Sequence, residues 1–279
     1  MDKNQAINID IQPTKCFRLF DQSFRRIKYF TCIADNIETD NFPTEWAVKN
    51  ETGLSYGMDE PPEAEKEKLL HGFQYFLRRY LVRDCIETFA LCLDDLCFNL
   101  LLCSTSPRRI NAGQTLYDTL DENEKEFLEN FKAKGVSPKD GKIALLKKRF
   151  DLKLSDDSKK IIRGLKDIRD CLTHRNGIVS DRDGDAAKDN KRKFHWITLD
   201  FFIVDGETKE ELPLEIGRVY ENGGDLCMRF KEHTKLQNIG RPLSFTSTEA
   251  YEIAQSLQWI AREYLKQIKA HPAEDAKND

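Results

Sequence analysis

Residues 63–104, EAEKEKLLHGFQYFLRRYLVRDCIETFALCLDDLCFNLLLCS, decide the fold. They contain no proline and a single glycine, Gly72, and they open with Glu63, Glu65 and Glu67, charges that suit the positive end of a helix. Apolar side chains then recur at Leu70, Phe73, Leu77, Leu81, Cys85, Phe89, Cys92, Leu96 and Leu100, always three or four residues apart. That spacing marks one face of a helix and predicts a spine for the other elements to pack on. Cys85, Cys92, Cys97 and Cys103 fall within the pattern, where a free thiol behaves as a small hydrophobe. The stretch 89–103 is broken by Asp94 and Asp95 and is shorter than the roughly 20 residues a bilayer requires, so the spine reads as a buried helix rather than a membrane span. The two acids are expected on an exposed helix face, or else opposite Arg78, Arg79 or Arg83.

Outward from the spine, the same periodicity predicts a helix over 17–37, through Phe17, Phe20, Phe24, Ile27, Phe30, Ile33 and Ile37. Residues 38–62 carry Pro43, Gly53, Gly57, Pro61 and Pro62 and read as an irregular connection packed through Trp46. Further helices are expected over 116–133, 139–150 and 155–173, and the set describes a helical bundle. Residues 181–193 are almost devoid of apolar side chains and predict a solvated, mobile loop. Residues 194–204 and 226–230, rich in β-branched and aromatic residues around Gly206, Pro213 and Asn222-Gly223-Gly224, predict a small antiparallel β element. Thr246 and Glu249 have the spacing of a capping box before a long last helix. The expected organisation is an N-terminal helix and connection over 1–62, a bundle core over 63–180, a charged loop and β element over 181–242, a last helix over 243–270 and a frayed tail over 271–279.

A chain of 279 residues with 39% hydrophobic and 33% charged content buries a core without disulfide staples. Its net charge of -4 argues against a protein that coats nucleic acid through its overall field. Eight cysteines include no CxxC pair and no Cys/His cluster with zinc spacing, and the opening residues do not resemble a secretory leader. The expectation is a soluble cytoplasmic protein with reduced thiols, no metal site, no cofactor and no membrane partner. P-loop, dinucleotide-binding and serine-hydrolase motifs are also missing.

The predicted 155–173 helix buries Ile161, Leu165, Ile168 and Leu172 and runs into Arg169-Asp170-Cys171-Leu172-Thr173-His174-Arg175-Asn176-Gly177. Asn176-Gly177 is a helix stop, which puts His174 in the last turn, where backbone carbonyls favour a cation. Asp170 precedes His174 by four residues, so its carboxylate can hold the ring. At about 100° per residue Arg169 and His174 stand about 140° apart, too far for one straight helix to unite them. Either the helix ends early and the ring swings back, or a second chain supplies one group. On spacing alone the string also describes a helix-edge arginine and a C-terminal capping histidine.

The string RDCLTHRNG, at a helix end within a bundle, resembles the RxxxxH motif of the HEPN superfamily, with Arg169, Asp170 and His174 matching in order and spacing. The resemblance covers about 155–180, and the β element departs from the minimal bundle. It implies a homodimer with facing motifs and a metal-independent endoribonuclease of prokaryotic defence or toxin–antitoxin systems, with RNA as substrate and an antitoxin or activating protein as a further partner. Arg169, His174 and Asp170 would then be catalytic, and Arg175, Asn176, Lys166 and Arg163 would bind substrate. Residues 139–175 hold 12 Lys/Arg against 6 Asp/Glu, a basic surplus that suits a polyanion. A catalytically silent HEPN-type module for binding, assembly or nucleotide sensing is the alternative.

Overall fold

The computed structural model describes residues 13–41, 47–49, 55–57, 59–104, 113–215 and 217–270. A one-turn α1 (Pro13–Cys16) leads into α2 (Arg18–Asn36). The long α3 (Glu63–Cys103) is one uninterrupted helix of 41 residues, as its lack of proline allows. Its buried face begins at Leu81 and continues through Val82, Cys85, Phe89, Cys92, Leu93 and Leu96. Along this length α2 runs antiparallel: Phe20 meets Phe89 edge-on at 5.8 Å, Ser23 donates to Asp84 at 2.6 Å, and Gln74 donates to the Ala34 carbonyl at 2.8 Å. The first half of α3 departs from the expected spine. Phe73 is exposed, and so are Leu69, Phe76 and Tyr80. Cys103 is likewise exposed rather than core.

The helix expected over 116–133 is divided. Asp121 accepts from the Glu124 amide and Glu124 from the Asp121 amide, so a capping box starts α4 (Glu122–Ala133) only after a short 3-10 turn. α5 (Lys142–Phe150) starts three residues later than predicted and buries Ile143 and Leu146. α6 (Asp156–His174) is capped by Ser155, which accepts from the Ser158 amide at 3.2 Å. α7 (Ser247–Ala270) has the expected box, with Thr246 and Glu249 exchanging bonds of 3.1 and 2.8 Å. Ile253, Leu257, Ile260 and Tyr264 of α7 complete one continuous core with α3 and α6.

Between α6 and α7 lies a four-stranded antiparallel sheet built on β4 (Lys191–Asp205). One edge of β4 pairs with β6 (Gly224–Asn238) over its whole length, and the other pairs with β3 (Asp185–Ala187) at one end and β5 (Glu211–Pro213) at the other. Here β1 (Ala47–Lys49) and β2 (Ser55–Gly57) form a separate hairpin inside the segment expected to be irregular, while Trp46 lies outside the described residues. Residues 181–193 are not simply a loop: Ala187 pairs with Lys191 across a turn in which Asp189 and Asn190 adopt φ of 59° and 56°. Asx side chains tolerate that region, and the paired residues are exposed to half-buried, so no apolar pattern marks them. The second predicted strand is also three times longer than 226–230. Its far half turns His233, Lys235 and Gln237 inward, and Lys235 reaches Glu249 of α7 at 2.8 Å. Phe194 and Trp196 of β4 are buried against the helices, and mid-helix Gly164 lets α6 approach so closely that a Cβ there would strike the His195 carbonyl.

Asp94 is neither exposed nor paired with an α3 arginine. It binds the buried Lys142 at the start of α5, while its neighbour Asp95 is exposed. Burial raises the Asp94 pKa above the ordinary carboxylate value, although Lys142 opposes the shift. Removing one partner of such a pair leaves an uncompensated charge. Lys142→Ala is expected to cost about 3 kcal/mol in urea unfolding, and adding Asp94→Leu to a Lys142→Met chain should recover most of it. A double variant as unstable as Lys142→Ala would show that the pair is not the cause.

Candidate functional site

The helix end that carries the RxxxxH string is held from three sides. Ile161, Leu165, Ile168, Cys171 and Leu172 bury one face of α6. Helical geometry persists through His174, and the Arg175 and Gly177 amides both return to the Cys171 carbonyl, at 3.3 and 2.9 Å. Asn176 and Gly177 then take φ of 49° and 71°, the left-handed stop that the sequence signals. Arg79 of α3 lies over the Tyr75 ring at 5.0 Å and donates to the Asn176 carbonyl. The positive φ at position 177 favours glycine, and a Cβ there would also push that guanidinium aside.

On the side toward α3, Arg169 donates from Nε to Glu87 at 2.9 Å and from Nη1 to Asp170 at 3.3 Å. Asp170 does not hold His174. Its other oxygen accepts from Lys166 at 2.7 Å, a pairing one turn back along the helix rather than forward. Burial disfavours the Asp170 carboxylate, but Lys166 and Arg169 outweigh it and bring its pKa below the ordinary value. Thr173 leans on Glu87 at 3.3 Å. His174 is exposed and makes no hydrogen bond or ion pair among the described residues. Because α6 stays helical to that residue, the ring does not swing back, and Arg169 and His174 keep their angular separation of about 140°.

The predicted residues therefore fall into separate groups. Arg169, Asp170 and Lys166 share a cavity of about 310 Å3 with Glu87, Lys132 and Lys134. Asn176 lines a second, shallower cleft with Phe76, Arg79, Tyr80 and Arg83. Arg163 is exposed on the outer face. Arg175, expected to meet substrate, is instead committed to Asp183: Nε lies 2.9 Å from Oδ2 and Nη2 binds Oδ1. That carboxylate is fully buried and also accepts from the Ser180 amide and hydroxyl, at 2.7 and 3.0 Å. Burial pushes the Cys171 thiol up to about 12, so it is no nucleophile at neutral pH. Among the described residues no group of three or more His, Cys, Asp or Glu side chains could hold a metal ion, and no helix is long and apolar enough to cross a membrane.

Sequence reasoning missed Glu87, Arg79 and Lys134. Glu87 is separated from Arg169 by 82 positions, and only its place one turn beyond Arg83 on the outer side of α3 hints at a role. No family model, curated protein or solved structure matches the chain. Fold and site together define a mainly helical protein with a cationic, carboxylate-braced helix end beside a small sheet.

Arg175→Ala strips the buried Asp183 of its cation and should lower stability by about 3 kcal/mol, several degrees in thermal melting. His174→Ala, with no partner to lose, should stay within about 0.5 kcal/mol of wild type. Equal melting of all three proteins would refute the division between a structural Arg175 and a free His174.

Proposed function

We propose that the chain is a metal-independent endoribonuclease of HEPN type that works as a homodimer in prokaryotic defence or toxin–antitoxin function in the cytoplasm. One observation carries the reading: the exposed imidazole of His174 has no partner among the described residues, while Arg169, one face away, lines a cavity of about 310 Å3. In this reading two chains place the Arg169 of one opposite the His174 of the other, since neither helix alone unites them. His174 takes the proton from a ribose 2′-hydroxyl, and that oxygen attacks the adjacent phosphorus. The bond to the 5′-oxygen breaks, that oxygen receives a proton from an imidazolium, and a 2′,3′-cyclic phosphate remains. Arg169 offsets the charge that grows on the phosphoryl oxygens, and Asp170 keeps its guanidinium in place. Lys166 beside Arg169, Arg163 on the His174 side of the helix and Asn176 just past its end would contact the RNA backbone. An antitoxin or activating protein would control the site.

The engagement of Arg169 by both Glu87 and Asp170 favours a second reading, a catalytically silent module for binding, assembly or nucleotide sensing. Expression in bacteria separates the two. Growth arrest with fragmented RNA is expected for the wild type and is lost in Arg169→Ala and in His174→Ala, each lowering cleavage by roughly 10²–10⁴. Co-expression of the two inactive variants should restore cleavage, because a mixed dimer keeps one site with both groups intact. An active wild type without such rescue would sink the shared site, and indifference of the cells and their RNA to every variant would leave the silent module.

A further inference from the structure

The cavity that Arg169 enters is more than the flank of a helix end. Its walls come from α3, the end of α4, the 134–137 segment and α6, and its inner surface is largely apolar, with Ile86, Leu91, Val136 and Ile162 among the lining residues. Ionic groups ring this apolar interior, five lysine or arginine side chains against three carboxylates. Most are already matched: Lys166 with Asp170, Lys142 with Asp94, Lys132 with Glu129 at 2.9 Å, and Arg169 with Glu87. Lys134 is not. It is exposed at the rim and has no carboxylate or hydrogen-bond acceptor for its side chain among the described residues. The next three residues, Gly135, Val136 and Ser137, also line the cavity, and their backbone amides donate to no described group. A free ammonium and a run of unpaired amides at one wall favour an anion, because an oxyanion accepts from both at once. The apolar interior favours a ligand body without charge, and the volume lies at the lower end of small-ligand sites.

We propose that this cavity binds a small organic phosphate, an ester whose apolar or planar body lies between α3 and α6 and whose phosphate faces Lys134 and the 135–137 amides. The matched pairs leave the excess of positive charge at this wall, so the body enters first and the phosphate stays at the rim. An inorganic ion fills only the rim, and an uncharged body leaves Lys134 unanswered. The ligand sits against Arg169 and Lys166, so its occupancy is felt by the helix end whether or not that end cleaves RNA.

Calorimetric titration of full-length protein carrying His174→Ala tests this without any contribution from RNA cleavage. Adenosine 5′-monophosphate and hexyl phosphate are the probes for planar and aliphatic bodies, with adenosine and inorganic phosphate as controls. At least one ester is expected to saturate below about 1 mM, with both controls at least roughly tenfold weaker. Lys134→Glu should weaken that ester roughly tenfold or more, and Val136→Trp should abolish its binding, while thermal melting reports that both variants remain folded. The ester that binds identifies the body. Failure of both esters to saturate by about 5 mM, or undiminished binding in both folded variants, would overturn the proposal. So would a short single-stranded RNA that binds where the esters do not and is lost in Val136→Trp, since the cavity would then be a stretch of an RNA path. A failed titration leaves the expression assay untouched, and an inert expression assay leaves the titration untouched.

Discussion

The apolar face of α3 from Leu81 to Leu102 is the constraint on which the rest depends. Each large side chain buried there contributes roughly 1.5–3 kcal/mol, and α2, α4, α6 and α7 all place their own stripes against it. Because α3 is rigid and long, residues far apart along it serve different neighbours. Arg79 fixes the end of α6, Glu87 receives Arg169, and Asp94 receives Lys142. The helix thus sets the separation between the stop at Asn176-Gly177, the Arg169 cluster and the cavity beneath α4.

This arrangement explains why the helix end has two characters. Toward α3 the end is tied by charge-assisted bonds, Arg169 to Glu87 and Arg79 to a backbone carbonyl, and Arg175 ties it to Asp183 of the turn that follows. The side away from α3 offers Arg163 and His174 to solvent. A bundle that placed Arg169 without a carboxylate would leave a half-buried guanidinium to be desolvated uncompensated. Glu87 and Asp170 meet that need, and in doing so they compete with any anion that approaches.

Much of the helical part was legible in the sequence. In α6 the stripe Ile161, Leu165, Ile168, Leu172 agrees with the cap at Ser155 and the stop at Gly177, so local chemistry and tertiary burial point the same way. α7 was legible for the same reason. The first half of α3 misled, since Phe73 continues the apolar period yet stays exposed. The far half of β6 stayed hidden because its inward positions are His233, Lys235 and Gln237, whose fit depends on Glu249 and Glu252 of a helix still to come. In the candidate site the motif could be found from spacing, but its partners could not. Asp170 had two neighbours one turn away, and only the third dimension shows that Lys166 rather than His174 takes it.

The sheet has a consequence for solubility. β6 pairs with β4 alone, so across 15 residues its other edge presents unpaired amides and carbonyls among the described residues. Such an edge is a template for another strand, and Leu226, Met228 and Leu236, all exposed, would welcome one. Arg229, Lys231 and Glu232 interrupt that run with charge, and a second β6 laid parallel and in register beside the first would bring like charges together. The polar content that hid this strand from pattern reading is thus what protects it from self-association.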